Sequence, residues 1–225
     1  MLNVDKIYVC HYLPLTERKA NLLKIFEHFD MTVEWFDCEP DERALKEYLV
    51  DDQQARAKKL GHFNNNNPGA NLKKSEISLA YKHVKIYEDI IANNYSTALV
   101  LEDDVLLARD FVNQCNNSLA ETPSDWDMIF PGSGCDLRIP QHQLVQGQIA
   151  YRKSHPASKC TDSYFITLDA TKKLMSTIKP FNLPIDWELN YQLLHHNMNV
   201  YWWEPPLVQQ GSQVGVYSCA IKDYA

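Results

Sequence analysis

Apolar positions in this chain recur in two styles, short unbroken runs and stripes spaced at about 3.6 residues. The run Ile7-Tyr8-Val9-Cys10 predicts a first buried strand over 6–11. Over 16–29 the spacing changes, and Leu22, Leu23, Phe26 and Phe29 fall on one side of a predicted helix. Val, Trp and Phe then predict a second strand over 32–37. Residues 41–60 are charged and helix-favouring, and they dissolve into Asn64-Asn65-Asn66-Asn67-Pro68-Gly69, the clearest loop in the chain. Ser75 is expected to cap the next helix, with Glu76 in its first turn. Along that helix Ile77, Ala80, Tyr81, Val84, Tyr87, Ile90 and Ile91 recur at helical spacing. Further strands are predicted at 98–101, 127–130, 163–168 and 199–203, and further helices at 170–178 and 186–196. Strands alternating with helices predict an α/β fold, a central sheet with helices on its faces.

The chain has 225 residues, which suits a single domain over 1–225, with a flexible loop around 53–74 and an extended tail over 204–225. A net charge of −7 argues against a nucleic-acid surface. The opening residues show no basic, apolar leader, and no stretch has the length needed to span a bilayer. The six cysteines form no C-x-x-C pair and are expected to be reduced thiols in a cytoplasmic protein.

Chemistry concentrates at Ala98-Leu99-Val100-Leu101-Glu102-Asp103-Asp104-Val105-Leu106-Leu107. Three acids follow a buried strand and therefore stand at its carboxyl end, where open α/β sheets bind ligands. Strand alternation points Glu102 and Asp104 together and Asp103 away. Crowded carboxylates repel one another, and a hard divalent cation with oxygen ligands relieves that repulsion. The competing account is a solvated acidic turn. Absent motifs narrow the choice. No phosphate-binding G-x-x-x-x-G-K-[ST] occurs, Gly132-Ser133-Gly134 lacks the third glycine of a dinucleotide site, and no H-E-x-x-H is present.

Several segments together resemble glycosyltransferase family 25. They are Ile7 to Leu13 with Arg18, Trp35-Phe36-Asp37-Cys38, Ser75-Glu76-Ile77-Ser78-Leu79-Ala80-Tyr81-Lys82-His83, Leu101-Glu102-Asp103-Asp104-Val105, Thr161-Asp162-Ser163-Tyr164-Phe165-Ile166 and Pro184-Ile185-Asp186. They keep the family's order and span roughly residues 6–210. The resemblance implies a GT-A-type, Rossmann-like single domain with a mixed, mostly parallel sheet. It also implies a UDP-hexose donor (galactose or glucose) and Mn²⁺, with Mg²⁺ as substitute. The acceptor would be a glycan, lipid-linked or hydroxylysine-type hydroxyl.

By family position Asp104 would ligate the metal, while Glu102 and Asp103 would contact ribose or sugar. Leu13, Thr16, Arg18 and Asp37 would line the nucleoside pocket. Lys74, beside the start of its helix, can meet phosphate, and Arg18 can instead simply pair with a surface acid. Asp186 would act as the general base of an inverting transfer, with Asp162 and Glu188 behind it. Trp187 is the candidate for stacking on a sugar, and His83 is expected to be a core histidine. Three positions depart from the family pattern. Gln210 stands where a late metal-binding histidine is usual, and Lys82 and Asp162 replace small uncharged residues. The rivals to a transferase are a degenerate member that binds nucleotide or glycan without turnover, and a sugar nucleotidyltransferase. The latter normally wants a glycine-rich basic loop after the first strand, which Tyr12-Leu13-Pro14-Leu15 is not.

Overall fold

The computed structural model describes residues 1–65, 71–154 and 158–218. In chain order the strands are β1 (Lys6–Cys10), β2 (Glu34–Phe36), β3 (Thr97–Glu102), β4 (Val105–Leu107), β5 (Met128–Phe130), β6 (Ala150–Arg152), β7 (Ser163–Thr167), β8 (Val200–Trp203) and β9 (Val208–Gln210). The helices are α1 (Thr16–His28), α2 (Glu42–Tyr48), α3 (Gln53–Gly61), α4 (Lys74–Asn93), α5 (Phe111–Glu121), α6 (Leu168–Met175) and α7 (Ile185–His195). Seven strands form one sheet in the order β2-β1-β3-β7-β5-β8-β6. Its strands β2, β1, β3, β5 and β8 run one way, and β7 and β6 run against them. The sheet is therefore mixed and mostly parallel, as the alternating pattern and the resemblance together predict.

Period-two alternation sorts the strand side chains onto two cores. Tyr8, Cys10, Ala98 and Val100 join Ala80, Val84, Tyr87 and Ile90 of α4 on one face. Ile7, Val9, Leu99 and Leu101 join Leu22 and Phe26 of α1 and Phe111 of α5 on the other. Each fully buried side chain of this size contributes about 1.5–3 kcal/mol of transfer free energy, so helices cover both faces. Because β1 and β3 are parallel neighbours, their carboxyl ends open at the same edge. Helix α4 runs back before β3 and sets its amino end at that edge too.

Local details differ from the sequence reading. The helix expected over 41–60 is two helices, because the Asp41 and Asp52 carboxylates cap new starts by accepting Ala44, Gln54 and Ala55 N–H groups at 2.7–3.1 Å. Between them Leu49 bridges Phe181, and the Val50 N–H donates to the Phe181 carbonyl at 3.0 Å. The flexible segment expected over 53–74 is consequently helical over Gln53–Gly61 and again from Lys74. That leaves 62–65 and 71–73 as connection, and 66–70, which hold part of the asparagine run, lie outside the described residues. Ser75 does not cap α4. Lys73 occupies the cap and its N–H donates to Glu76 Oε2 at 2.8 Å, which leaves the Ser75 hydroxyl inside the helix. Helix α5 lies where no helix is expected, since Asn113, Asn116 and Asn117 weaken its signal. The tail expected to be extended contains β9, which pairs antiparallel with β4 and brings Gln210 opposite Val105. Among the described residues no helix is long and apolar enough to cross a membrane.

Candidate active site

The three consecutive acids diverge because β3 ends among them. Glu102 is the last residue of β3 and keeps the α4 side of the sheet, where Thr161 Oγ1 donates to its Oε1 at 2.6 Å and His83 Nε2 lies at 3.9 Å. Asp103 and Asp104 occupy the turn to β4. Asp103 reaches across to β1 and α1. Its Oδ2 bonds His11 Nδ1 at 2.9 Å and accepts the Tyr12 N–H at 3.1 Å, while its Oδ1 accepts Arg18 Nη1 at 2.7 Å. Asp104 is held by hydrogen bonds from Ser212, and its carbonyl accepts the Gly211 N–H at 2.6 Å. Arg18 is buried and also donates to the Ser218 carbonyl, so it is no surface arginine.

A fourth carboxylate joins them. Asp162, at the start of β7, is fully buried, and its carbonyl accepts the Glu102 N–H at 2.9 Å. The Gly132-Ser133-Gly134 turn packs against it so closely that a Cβ on Gly132 would stand 2.2 Å from its Oδ2. These glycines serve backbone approach to a carboxylate, not a dinucleotide. Sequence reasoning held Asp162 only as a secondary base. The signals that could have placed it are its position beside a strand start and the Gly-Ser-Gly turn upstream.

Burial and mutual repulsion set the electrostatics. Burial raises Glu102 well above the ordinary carboxyl range, and the charges of Asp104, Asp162 and Asp103 add to it. Burial likewise raises Asp104, opposed by Ser212 and Arg18, and pushes Asp162 up to about 7. For Asp103 burial also acts upward, but the hydrogen bonds from His11, Arg18 and Tyr12 outweigh it and hold the carboxyl below its usual range. One acid is thus satisfied by the Arg18 guanidinium, His11 and an N–H group. The other three press on one another. Asp104 Oδ1 and Asp162 Oδ1 are buried and have no hydrogen-bond partner among the described residues.

Arg18, Lys74, Glu102, Asp103, Asp104 and Gln210 line a single cavity of about 330 Å³. Glu39, Ser78 and Lys82 line it as well. Lys82, buried in α4, reaches Glu39 at 2.5 Å and Ser78 at 2.6 Å there. Other predicted residues lie elsewhere. Leu13 is exposed, Thr16 lines an adjoining groove under Tyr217 and Ser218, and Asp37 faces Lys19 at 3.5 Å. Asp186 is the second residue of α7, with Pro184 at the cap, and its Oδ1 accepts the Trp187 N–H at 2.9 Å. Glu188 is buried beneath Lys59 at 2.6 Å, which suits a structural ion pair. His83 bonds the Tyr164 hydroxyl at 2.7 Å, and burial lowers it to about 3, the behaviour of a neutral core histidine.

The fit to a divalent ion follows from these orphaned oxygens. Among the described residues no three His, Cys, Asp or Glu side chains converge to hold an ion by themselves. Asp104 offers one unpartnered oxygen, and a hard cation is commonly held by one or two carboxylates plus phosphate oxygens. The Gln210 amide oxygen already accepts Gln213 Nε2 at 2.6 Å, so ligation through it would break that bond.

Residues 5–189 match the family model described as Glycosyltransferase family 25 (LPS biosynthesis protein). The chain belongs to glycosyltransferase family 25. A Glycosyltransferase 25 family member of Anopheles gambiae is 28% identical over 199 residues, 87% of this chain and 33% of that protein. Procollagen galactosyltransferase 1 of Danio rerio is 23% identical over 212 residues, 89% of this chain and 33% of that protein. The chain therefore spans about a third of the length of these curated relatives. Within this family 25 chain the matched interval holds Arg18, the three consecutive acids, Asp162 and Asp186. It stops inside α7, so Gln210 and the β9 segment lie beyond it.

Proposed function

We propose that this family 25 chain transfers a hexose, galactose or glucose, from a UDP-sugar to an acceptor hydroxyl with inversion, using Mn²⁺ or, less well, Mg²⁺. The observation that supports it is the cavity at the carboxyl ends of β1 and β3, lined by Glu102, by Asp104 with its unpartnered Oδ1, and by Lys74. A nucleoside diphosphate with a bound cation carries the complementary charge pattern. The ion, held by Asp104 and the diphosphate, would neutralise charge developing on the departing UDP. Lys74, on the first turn of α4, would meet phosphate where the helix end favours anions. Arg18 lines the cavity, where it would meet the nucleoside, and it also has a structural partner. Its guanidinium holds Asp103 and, through it, the shape of the turn that presents Asp104. Asp186, raised by burial, would accept the proton of the attacking hydroxyl. The acceptor class, a glycan, a lipid-linked sugar or a hydroxylysine-type hydroxyl, rests on the family alone.

The occupied Gln210 oxygen favours one second reading, a member that binds nucleotide without turnover. Thermal shift with UDP, with Mn²⁺ and with both tests the main proposal, because binding to the folded state alone raises the melting temperature. A shift of several degrees with the pair, followed by UDP release from a panel of UDP-sugars, supports the transferase. A shift without release selects the second reading, and no shift with any nucleoside diphosphate overturns both.

A further inference from the structure

Cys135 and Cys160 play no part in the transfer chemistry, yet the fold brings their Sγ atoms to 3.3 Å although they are 25 residues apart in sequence. Both stand on left-handed backbone, at φ 53° and 61°, a conformation that residues with side chains seldom adopt. Two tight turns therefore present the thiols to each other. Cys135 is exposed and Cys160 half-covered, and both are free. A metal is not the natural occupant, because among the described residues no third His, Cys, Asp or Glu joins them to make a cation cluster. The surroundings link the pair to the acidic cavity. A Cβ on Gly134 would meet Cys160 Cβ at 2.6 Å and Asp162 Oδ1 at 2.7 Å. Thr161, next to Cys160, holds Glu102. On the far side the Cys135 N–H donates to Gln213 Oε1 at 2.5 Å, and Gln213 in turn donates to Gln210.

We propose that Cys135 and Cys160 form a reversible dithiol site for low-molecular-weight disulfides, and that closing it ties the Gly132–Gly134 turn to the segment carrying Thr161 and Asp162. The steps balance as thiol–disulfide exchange. The Cys135 thiolate attacks one sulfur of RSSR, that S–S bond breaks, and RS⁻ leaves to take up the proton Cys135 released. Cys160, after losing its own proton, attacks the Cys135 sulfur of the mixed disulfide and expels the second RS⁻, which is protonated in turn. The protein dithiol is oxidised by two electrons and RSSR is reduced to two RSH. Exposure makes Cys135 the entry thiol, since burial and its neighbour keep Cys160 protonated longer. The sulfurs must close from 3.3 Å to a bond of about 2.05 Å, a shift small enough for two surface turns.

The test uses the full chain and glutathione disulfide, with peptide mapping under non-reducing conditions. A Cys135–Cys160 link that dithiothreitol reverses is expected, lost in both C135S and C160S, with C160S trapping a glutathione adduct on Cys135. Closure of this loop is also expected to raise the melting temperature of the ligand-free chain by about 5–10 °C, a rise absent in C135S. Two alkylatable thiols after treatment, or a link to another cysteine such as Cys38 or Cys219, would overturn the site. A link with no rise in melting temperature would overturn the tie between the two segments. Neither readout needs UDP, so both stand apart from the proposed transferase activity.

Discussion

Arg18 and Asp103 meet from opposite ends of the first half of the fold, with Nη1 donating to Oδ1 at 2.7 Å and both side chains at most 10% exposed. The pair joins α1 to the β3–β4 turn, and His11 and the Tyr12 N–H complete the carboxylate's shell. Removing Arg18 leaves Asp103 buried with only His11 and the Tyr12 N–H on its other oxygen, and breaking a buried pair in this way costs up to about 3–5 kcal/mol. Arg18→Ala should lose stability on that scale in urea denaturation, and Arg18→Lys should lose less. A change below about 1 kcal/mol in Arg18→Ala would show the pair to be incidental.

Asp104 sits where repulsion in the ligand-free chain and attraction to a bound cation oppose each other. Asp104→Ala should abolish the Mn²⁺-dependent shift by UDP and lower transfer by at least about a hundredfold. Its ligand-free melting temperature should stay level or rise, because one of several mutually repelling buried carboxylates is gone. Wild-type turnover in this variant would remove the residue from the metal site.

Asp162 and Asp103 should leave opposite marks on the pH dependence of stability. Asp162, raised to about 7 by burial, binds its proton more tightly folded than unfolded, so its contribution is present at low pH and is lost as pH climbs from about 4 towards 7. Asp103, held low by its donors, contributes above its unfolded pKa and loses that contribution as pH falls below about 4. Asp162→Asn should therefore raise ligand-free stability at pH 8 by about 1–2 kcal/mol and leave it little changed near pH 4. Melting curves across that range check the sign, and a uniform loss at every pH would contradict it.

Gly132 has no room for a methyl group, since one would approach Asp162 Oδ2 to 2.2 Å and Ser163 Oγ to 2.6 Å. Gly132→Ala should cost about 1–3 kcal/mol through overpacking. Combined with Asp162→Ala it should cost less than the two changes summed. Strict additivity in that double-mutant cycle would mean that the turn and the carboxylate are uncoupled.

Much of the architecture could be read locally. The runs in β1 and β3, the stripe along α4 and the acids after Leu101 each announce themselves within a dozen residues, because strand and helix periods act over that distance. Asp41 and Asp52 show where such reading fails, for they start two helices inside one helix-favouring stretch so that Leu49 and Val50 can bridge the distant Phe181. Gln210 is similar. The sequence reads as an extended tail there, while pairing with β4 makes it a strand beside the site.

Residue order alone established an α/β fold and an acidic cluster at a strand's carboxyl end. Which acid is neutralised and which is left unpaired was decided only in three dimensions. Arg18 and His11 lie 85 and 92 residues before Asp103, and Thr161 lies 59 after Glu102. A carboxylate's protonation depends on the charges and donors within a few ångströms of it, and here most of those come from other elements of the fold.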